Sequence, residues 1–300
     1  MRERRCFVQL MHPGGEHSPN TPDLKLWNQG SHQRKFLVSN GHCIAEGARR
    51  DGEIVFWGEW EAESWVSRRY ESPLPDGPRF LYEPYFVDHR DGVWRQNTDP
   101  FVFGESFHYT GCLQNTRRGP TQLRYLTPGS IVLFGSCRAK SRFLLDTVFV
   151  VAGHIDHGAD DWRWVLEGRI SRTYRKVTIE PWYRDPPEDL SCRPDCGDRP
   201  EGERYRLYFG ATPERPVGRT FSFFPCLPHD VGGRGFARPE IRIPGYVTPN
   251  LTQNKKISSD LTLATLEELW QEVVRQVQEQ RLALGVHAEL PSRREEVGCR

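Results

Sequence analysis

Three carboxylates of this 300-residue chain sit among aromatic rings. Glu59 and Glu61 lie in Trp57-Gly58-Glu59-Trp60-Glu61-Ala62-Glu63-Ser64-Trp65, and Asp99 lies in Asn97-Thr98-Asp99-Pro100-Phe101-Val102-Phe103-Gly104. A carboxyl group held against apolar rings resists ionisation, which suits general acid or base work, and His108 adds a second titratable group nearby. If the protein is an enzyme, Glu59, Glu61, Asp99 and His108 are its candidate catalytic residues. The same stretch also supports binding without catalysis. Rings from Trp57, Trp60, Phe101, Phe103 and Tyr109 can sandwich a planar base while Gln96, Asn97, Asp99 and Gln114 read its edge. Arg117, Arg118, Arg124, Arg138, Lys140 and Arg142 can hold a phosphate backbone. The plainer alternative puts Glu59 and Glu61 on the solvent face of an edge strand, makes Asp99 a turn cap and leaves the arginines as surface charge.

Metal chemistry has two candidate sets. Cys192 and Cys196, with Cys226 and His229, form two close pairs around a β-prone insert, a spacing able to build a tetrahedral zinc site, with free thiols as the alternative. His154, Asp156, His157, Asp160 and Asp161 supply donors in the segment after a strand. The two glycines of Gly153-His154-Ile155-Asp156-His157-Gly158 have the spacing of a phosphate loop, but the lysine is missing and the aspartates repel a phosphate. Ser64, Ser106, Cys112 and Cys137 are possible nucleophiles, yet no Gly-x-Ser-x-Gly elbow occurs.

Positioning these groups falls to β-prone segments. Residues 5–10, 35–39, 53–57, 123–126, 131–134 and 143–151 read as strands, residues 162–170 alternate, and 205–209 and 220–224 are β-prone. Asn40-Gly41, Asp51-Gly52 and Thr127-Pro128-Gly129-Ser130 read as turns. One helix is expected over 265–284, with Thr265 and Glu268 as a capping box, Leu266, Leu269, Trp270, Val273, Val274, Val277 and Leu284 on one face, and Gly285 as its stop.

Forty-one basic against forty acidic residues leave a net charge of +1, so no global field points to nucleic acid or membrane, and any such contact must be a local patch. No apolar run approaches the ~20 residues of a membrane helix, and residues 1–6 lack a signal-peptide core, so a cytoplasmic chain with no membrane partner is expected. In that compartment eight scattered cysteines read mostly as small buried hydrophobes.

Leu123-x-x-Leu126-Thr127-Pro128-Gly129-Ser130-Ile131-Val132-Leu133-Phe134 resembles the strand-turn-strand of PUA-like barrels, including the EVE and ASCH groups, where a Pro-Gly-Asp-type turn precedes an apolar strand. Ser130 stands here in place of the usual Asp, and the Gly-x-Lys-x-x-Glu of the ASCH pattern is absent. The resemblance implies a small barrel that binds a modified base or RNA, and it carries over no individual residue.

The expected architecture is α+β with β dominant, a bent sheet or PUA-like barrel with elaborations and a C-terminal amphipathic helix. Its divisions are an N-terminal strand and loop over 1–34, a barrel-like core over 35–185, a loop or flap over 186–203, a β elaboration with a docking helix over 204–290, and a mobile tail over 291–300. The leading functional expectation is a module that binds a nucleobase, nucleotide-like ligand or nucleic acid, in nucleic-acid modification or antiviral defence. The alternatives are a hydrolase or transferase acting on such a ligand through its carboxylates, and a protein-interaction scaffold.

Overall fold

The computed structural model describes residues 2–12, 14–21, 33–71, 73–87, 98–116, 119–138, 141–183, 204–251 and 254–294. In chain order its strands are β1 (Cys6–Met11), β2 (Lys35–Ala45), β3 (Ala48–Gly58), β4 (Ser64–Arg69), β5 (Phe80–Val87), β6 (His108–Tyr109), β7 (Asn115–Thr116), β8 (Gly119–Pro120), β9 (Ile131–Arg138), β10 (Arg142–Gly158), β11 (Arg204–Gly210), β12 (Phe224–Pro228), β13 (Lys255–Ser259), β14 (Ala283–Ala288) and β15 (Ser292–Arg294). The helices are α1 (Trp162–Val165), α2 (Arg172–Tyr174), α3 (Glu180–Tyr183), α4 (His229–Gly232) and α5 (Leu263–Glu279), with a π turn (Arg175–Ile179) joining α2 to α3. With strand structure in 45% of the described residues and helix in 17%, β structure dominates.

Two mixed sheets carry the fold. The first has the order β13-β1-β9-β10-β11-β6, and the second β14-β12-β3-β2-β5-β15, with β4 on β5 and a further pairing of β14 to β2. That extra pairing curls β2, β3, β12 and β14 into a hydrogen-bonded ring, but the sheets remain bent layers and do not form the expected barrel.

Side-chain alternation along the strands separates two cores. Phe7, Ile131, Leu133, Val148 and Val150 pack with Phe36, Val55 and Trp57 on one side, where α5 docks through Leu266, Trp270, Val273 and Val277. Val8, Val132, Phe134, Phe149 and Val151 pack with Leu37, Phe56 and Trp60 on the other, closed by Trp162, Leu166, Tyr174, Val177 and Ile179. Because both faces of β1, β9 and β10 are buried, these strands read as near-continuous apolar runs.

Several local expectations are corrected. Asn40-Gly41 and Asp51-Gly52 do not turn. They lie inside β2 and β3, where Gly41 pairs with Gly52, and the hairpin closes at Glu46 and Gly47, both at positive φ. Gly41 is demanded by packing, since a Cβ there would stand 2.1 Å from the His287 carbonyl oxygen on β14. In place of a strand over 123–126 the chain forms a 3-10 turn (Gln122–Tyr125) capped by Thr121, and 162–170 form α1 and turns, because Trp162 and Leu166 share the buried face at helical spacing. The α5 helix starts two residues before the expected capping box. Thr262 accepts from the Thr265 backbone N–H, and Leu284 belongs to β14. Since β14 and β15 follow it, α5 does not end the chain.

Candidate functional site

Residues 98–114 meet the helical layer of α1, α2 and α3 across the end of the first sheet. Asp99 organises the loop. Its carboxylate accepts the backbone N–H groups of Thr110 (3.1 Å), Gly111 (2.5 Å) and Cys112 (2.8 Å), so one buried anion satisfies three successive donors. Phe101 and His108 exchange both backbone hydrogen bonds, and β6 pairs with β11 through Tyr109 to Tyr208 and His108 to Phe209. These pairings fix the His108 ring, whose centroid lies 4.7 Å from Tyr174, 5.3 Å from Phe209 and 6.0 Å from Phe101. Burial drives the His108 pKa down to about 4 against the pull of the Phe107 and Ser106 backbone, so the imidazole is neutral at pH 7.

A second buried imidazole reaches the same loop through Thr110. His157, at the end of β10, shares hydrogen bonds with the Thr110 hydroxyl (Nε2 to Oγ1, 3.0 Å) and the Tyr183 hydroxyl (Nδ1 to Oη, 2.6 Å). Burial lowers its pKa to about 4, opposed by Asp161 and Asp156. Trp162 stacks on Tyr183 at 5.6 Å and 7°.

The feature that marks this region is what its polar atoms lack. His108 Nδ1, the Tyr174 hydroxyl, Thr178 Oγ1, Gln114 Oε1 and Trp162 Nε1 are buried and make no hydrogen bond of good geometry among the described residues. Apart from His108, on which the Phe107 and Ser106 backbone still draws, each leaves a desolvated group uncompensated, at a cost of ~1–3 kcal/mol. Burial and then the Asp99 carboxylate raise the Tyr174 pKa well above the ordinary phenol range, so it stays a neutral hydroxyl. Gln114 is anchored from its other end, with Nε2 donating to the Arg206 carbonyl at 2.8 Å.

The acidic segment behaves differently from Asp99. Residues 59–63 leave β3 as an irregular turn, and Glu59, Glu61 and Glu63 are all buried. Glu59 accepts from Arg34 (3.0 Å) and shares a 2.6 Å hydrogen bond with His12 Nδ1. Arg34 also donates to Asp146 (2.6 Å) and to the backbone oxygens of His12, Gly14 and Gly135, and Arg238 reaches Asp146 at 3.1 Å. Asp146 is the extra residue at a register shift in β10, a bulge that aims its carboxylate at Arg34. Burial alone would lower the Arg34 pKa, and Asp146 and Glu59 reverse that and raise it. Two cations and two carboxylates thus tie β9 and β10 of one sheet to the end of β3 in the other.

Of the remaining sequence-derived candidates, the Trp57-to-Trp65 segment does fold against residues 98–114, through the Trp60 ring on Phe101 and Phe103 and the Glu61 N–H on Thr98 Oγ1. Trp57 does not join them. It faces the opposite core, tilted at 58° against Phe36 with Nε1 donating to the Phe236 carbonyl. Phe101, Phe103 and Tyr109 are buried, and the Tyr109 hydroxyl donates to the Cys112 carbonyl at 2.6 Å. Arg124 is half-buried, and Arg142 pairs with Asp76. Gln96, Asn97, Arg117, Arg118, Lys140, Cys192 and Cys196 lie outside the described residues, as does the side chain of Arg138. Cys226 is buried on β12, with burial raising its thiol pKa well above the usual value, and His229 pairs with Glu53 at 3.3 Å. His154 and His157 face opposite sides of β10, Asp156 holds Arg206, and Asp161 holds Arg204. Among the described residues no group of three or more His, Cys, Asp and Glu is placed to hold a metal ion.

Tyr174, Thr178, Tyr183 and Trp162 were missed as site residues in the sequence. A signal existed, since Tyr174, Val177, Thr178, Pro181 and Trp182 recur at i, i+3, i+4, i+7 and i+8 and are all buried. No protein-family model, curated protein sequence or solved structure matches the chain.

Proposed function

We propose that the protein binds a nucleobase or nucleotide-like ligand where residues 98–114 meet the helical layer. The observation that carries this reading is the buried Tyr174 hydroxyl, which makes no hydrogen bond of good geometry among the described residues and whose ring lies 4.7 Å from that of His108, with Gln114 Oε1, Thr178 Oγ1 and Trp162 Nε1 in the same state elsewhere in residues 98–114 and the helical layer. Hydrogen-bonding atoms of both kinds, neutral at pH 7 and set between aromatic faces, match the edge and faces of a heterocycle better than they match an ion. Trp162 offers a donor, Gln114 Oε1 an acceptor, and the hydroxyls and imidazole can act either way.

Binding is favoured over carboxylate catalysis by what surrounds His108. Among the described residues the carboxylate that stands near is Asp99, and its oxygens are occupied by three N–H groups, while Glu59 is engaged by Arg34 and His12 in the inter-sheet cluster. A general base needs an oxygen within reach of a substrate proton. The test is calorimetric titration with free nucleobases, nucleosides and mononucleotides at pH 7. Saturable binding of at least one class, weakened by Gln114→Leu, is the expected result. Absence of heat and of tryptophan fluorescence change up to millimolar ligand overturns the reading.

A further inference from the structure

The helical layer that roofs the proposed site has an outer face of distinct composition. Its inner residues, Trp162, Leu166, Tyr174, Val177 and Ile179, are committed to the core. Outward stand Arg163, Trp164, Arg169, Arg172 and Arg175. Trp164 is 69% exposed, the most exposed large hydrophobic residue among those described. A lone exposed apolar side chain needs no explanation, but an indole on a short helix amid arginines is a flat stacking surface within a field of cations. Between residues 163 and 176 there are five cations and one carboxylate, Glu167, in a chain whose net charge is only +1. Of the neighbouring acids, Asp161 is held by Arg204 at 2.8 Å, while Glu180 holds Lys176 at 2.8 Å and Arg175 at 3.3 Å, which leaves the positive charge beside Trp164 to Arg163 and Arg169. The Arg163 guanidinium lies over the Trp162 ring at 4.7 Å, so the same indole that stacks on Tyr183 inside also fixes a cation outside.

We propose that the exposed Trp164, flanked by Arg163 and Arg169, docks single-stranded nucleic acid, with phosphates on these two arginines and a base stacked on the indole. Single strands are specified because stacking on a side chain requires a base free of its own neighbours, which a duplex does not present on its surface. The inference rests on the proposed function in one respect, in that the strand would deliver a base to the site beneath the same helices.

Fluorescence anisotropy with labelled 12-nucleotide single-stranded DNA and RNA, run beside the nucleoside titration, tests both. The expected result is oligonucleotide binding that weakens with salt and loses roughly tenfold or more in Trp164→Ala. Each arginine–phosphate pair removed lowers the log–log salt slope by about 0.7, so Arg163→Ser with Arg169→Ser lowers it by about 1.4. Nucleoside binding stays unchanged in these surface variants, and circular dichroism checks that they fold. Equal affinity for duplex and single strand overturns the inference, as does a Trp164→Ala variant that binds like the parent or merely loses self-association in light scattering. Nucleoside binding without tighter oligonucleotide binding overturns the inference alone. Trp164-dependent oligonucleotide binding without nucleoside binding supports the inference and overturns the buried site. Failure of both ligands overturns both.

Discussion

Tyr174→Phe and Tyr109→Phe make a pair of substitutions whose effects on stability should have opposite signs. Both side chains are buried phenols within one site, and each change removes a single oxygen. The Tyr109 hydroxyl donates to the Cys112 carbonyl at 2.6 Å, whereas the Tyr174 hydroxyl has no partner among the described residues. Deleting a satisfied buried hydrogen bond costs ~1 kcal/mol, and the Cys112 carbonyl is left wanting a donor. Deleting an unsatisfied hydroxyl removes a desolvation penalty, so Tyr174→Phe should stabilise the free protein by about 1–2 kcal/mol. A 300-residue chain has an unfolding entropy near ~0.6 kcal/mol per degree, so the midpoint should rise by about 2–3 °C for Tyr174→Phe and fall by about 2 °C for Tyr109→Phe. Ligand binding should move the other way. If the hydroxyl is held in reserve for a base edge, Tyr174→Phe weakens the ligand roughly tenfold while stabilising the free protein. Differential scanning calorimetry with and without ligand reads both effects. A Tyr174→Phe variant that loses stability as Tyr109→Phe does would show its hydroxyl already satisfied in the free protein, and the reasoning behind the site would fail.

Two further outcomes follow from the buried charges. Asp146→Asn leaves Arg34 and Arg238 with Glu59 as their remaining acidic partner, and breaking a buried pair in this way should cost about 3–5 kcal/mol, lowering the midpoint by roughly 5–8 °C. Asp51→Asn, which breaks the exposed pair with Arg49, should leave the midpoint where it is, so equal effects of the two would remove the inter-sheet cluster as a stabilising tie. The buried histidines predict acid sensitivity. Above pH 6.5 His108 and His157 are neutral in both folded and unfolded chains and contribute nothing. Between pH 6.5 and their folded values of about 4, the unfolded chain binds protons that the native one does not, so stability falls as pH falls. At pH 5 the loss is about 2 kcal/mol per histidine, and His108→Phe, which suits the surrounding rings, should remove about half of it. Urea midpoints at pH 7 and pH 5 check this, and an unchanged pH dependence in the variant would refute it.

Strands were legible because their signal is local. Residues 131–134 and 143–151 are apolar on both faces, and β9 and β10 are buried on both faces, as such runs require. Turns were less legible, since Asn-Gly and Asp-Gly pairs report only that a backbone can turn. At Gly41 the glycine is set by a carbonyl on β14, nearly 250 residues away in the chain. The ionic cluster was invisible for the same reason. Its members stand at positions 12, 34, 59, 146 and 238, each an ordinary charged residue in its own neighbourhood, and their association exists only once β1, β3, β9 and β10 are assembled.

The candidate site lies between these cases. Asp99, His108 and Gln114 could be picked from one aromatic-polar stretch, but Tyr174, whose ring lies 4.7 Å from that of His108, sits with Thr178 on a helical stripe interrupted by a π turn and by Pro181, which blurs its period. Aromatic residues alone therefore misdirect. Trp57, Trp60, Phe101 and Phe103 are spent on packing, with ring against ring, and a ring already packed on both faces is not available to a base. What sets the proposed site apart from the core is a polar atom left without a partner among the described residues, and that property belongs to no residue type and no spacing. It is why Asp99, with three donors on its carboxylate, holds the loop in shape, while Tyr174, with none on its hydroxyl, is the better place to look for a ligand.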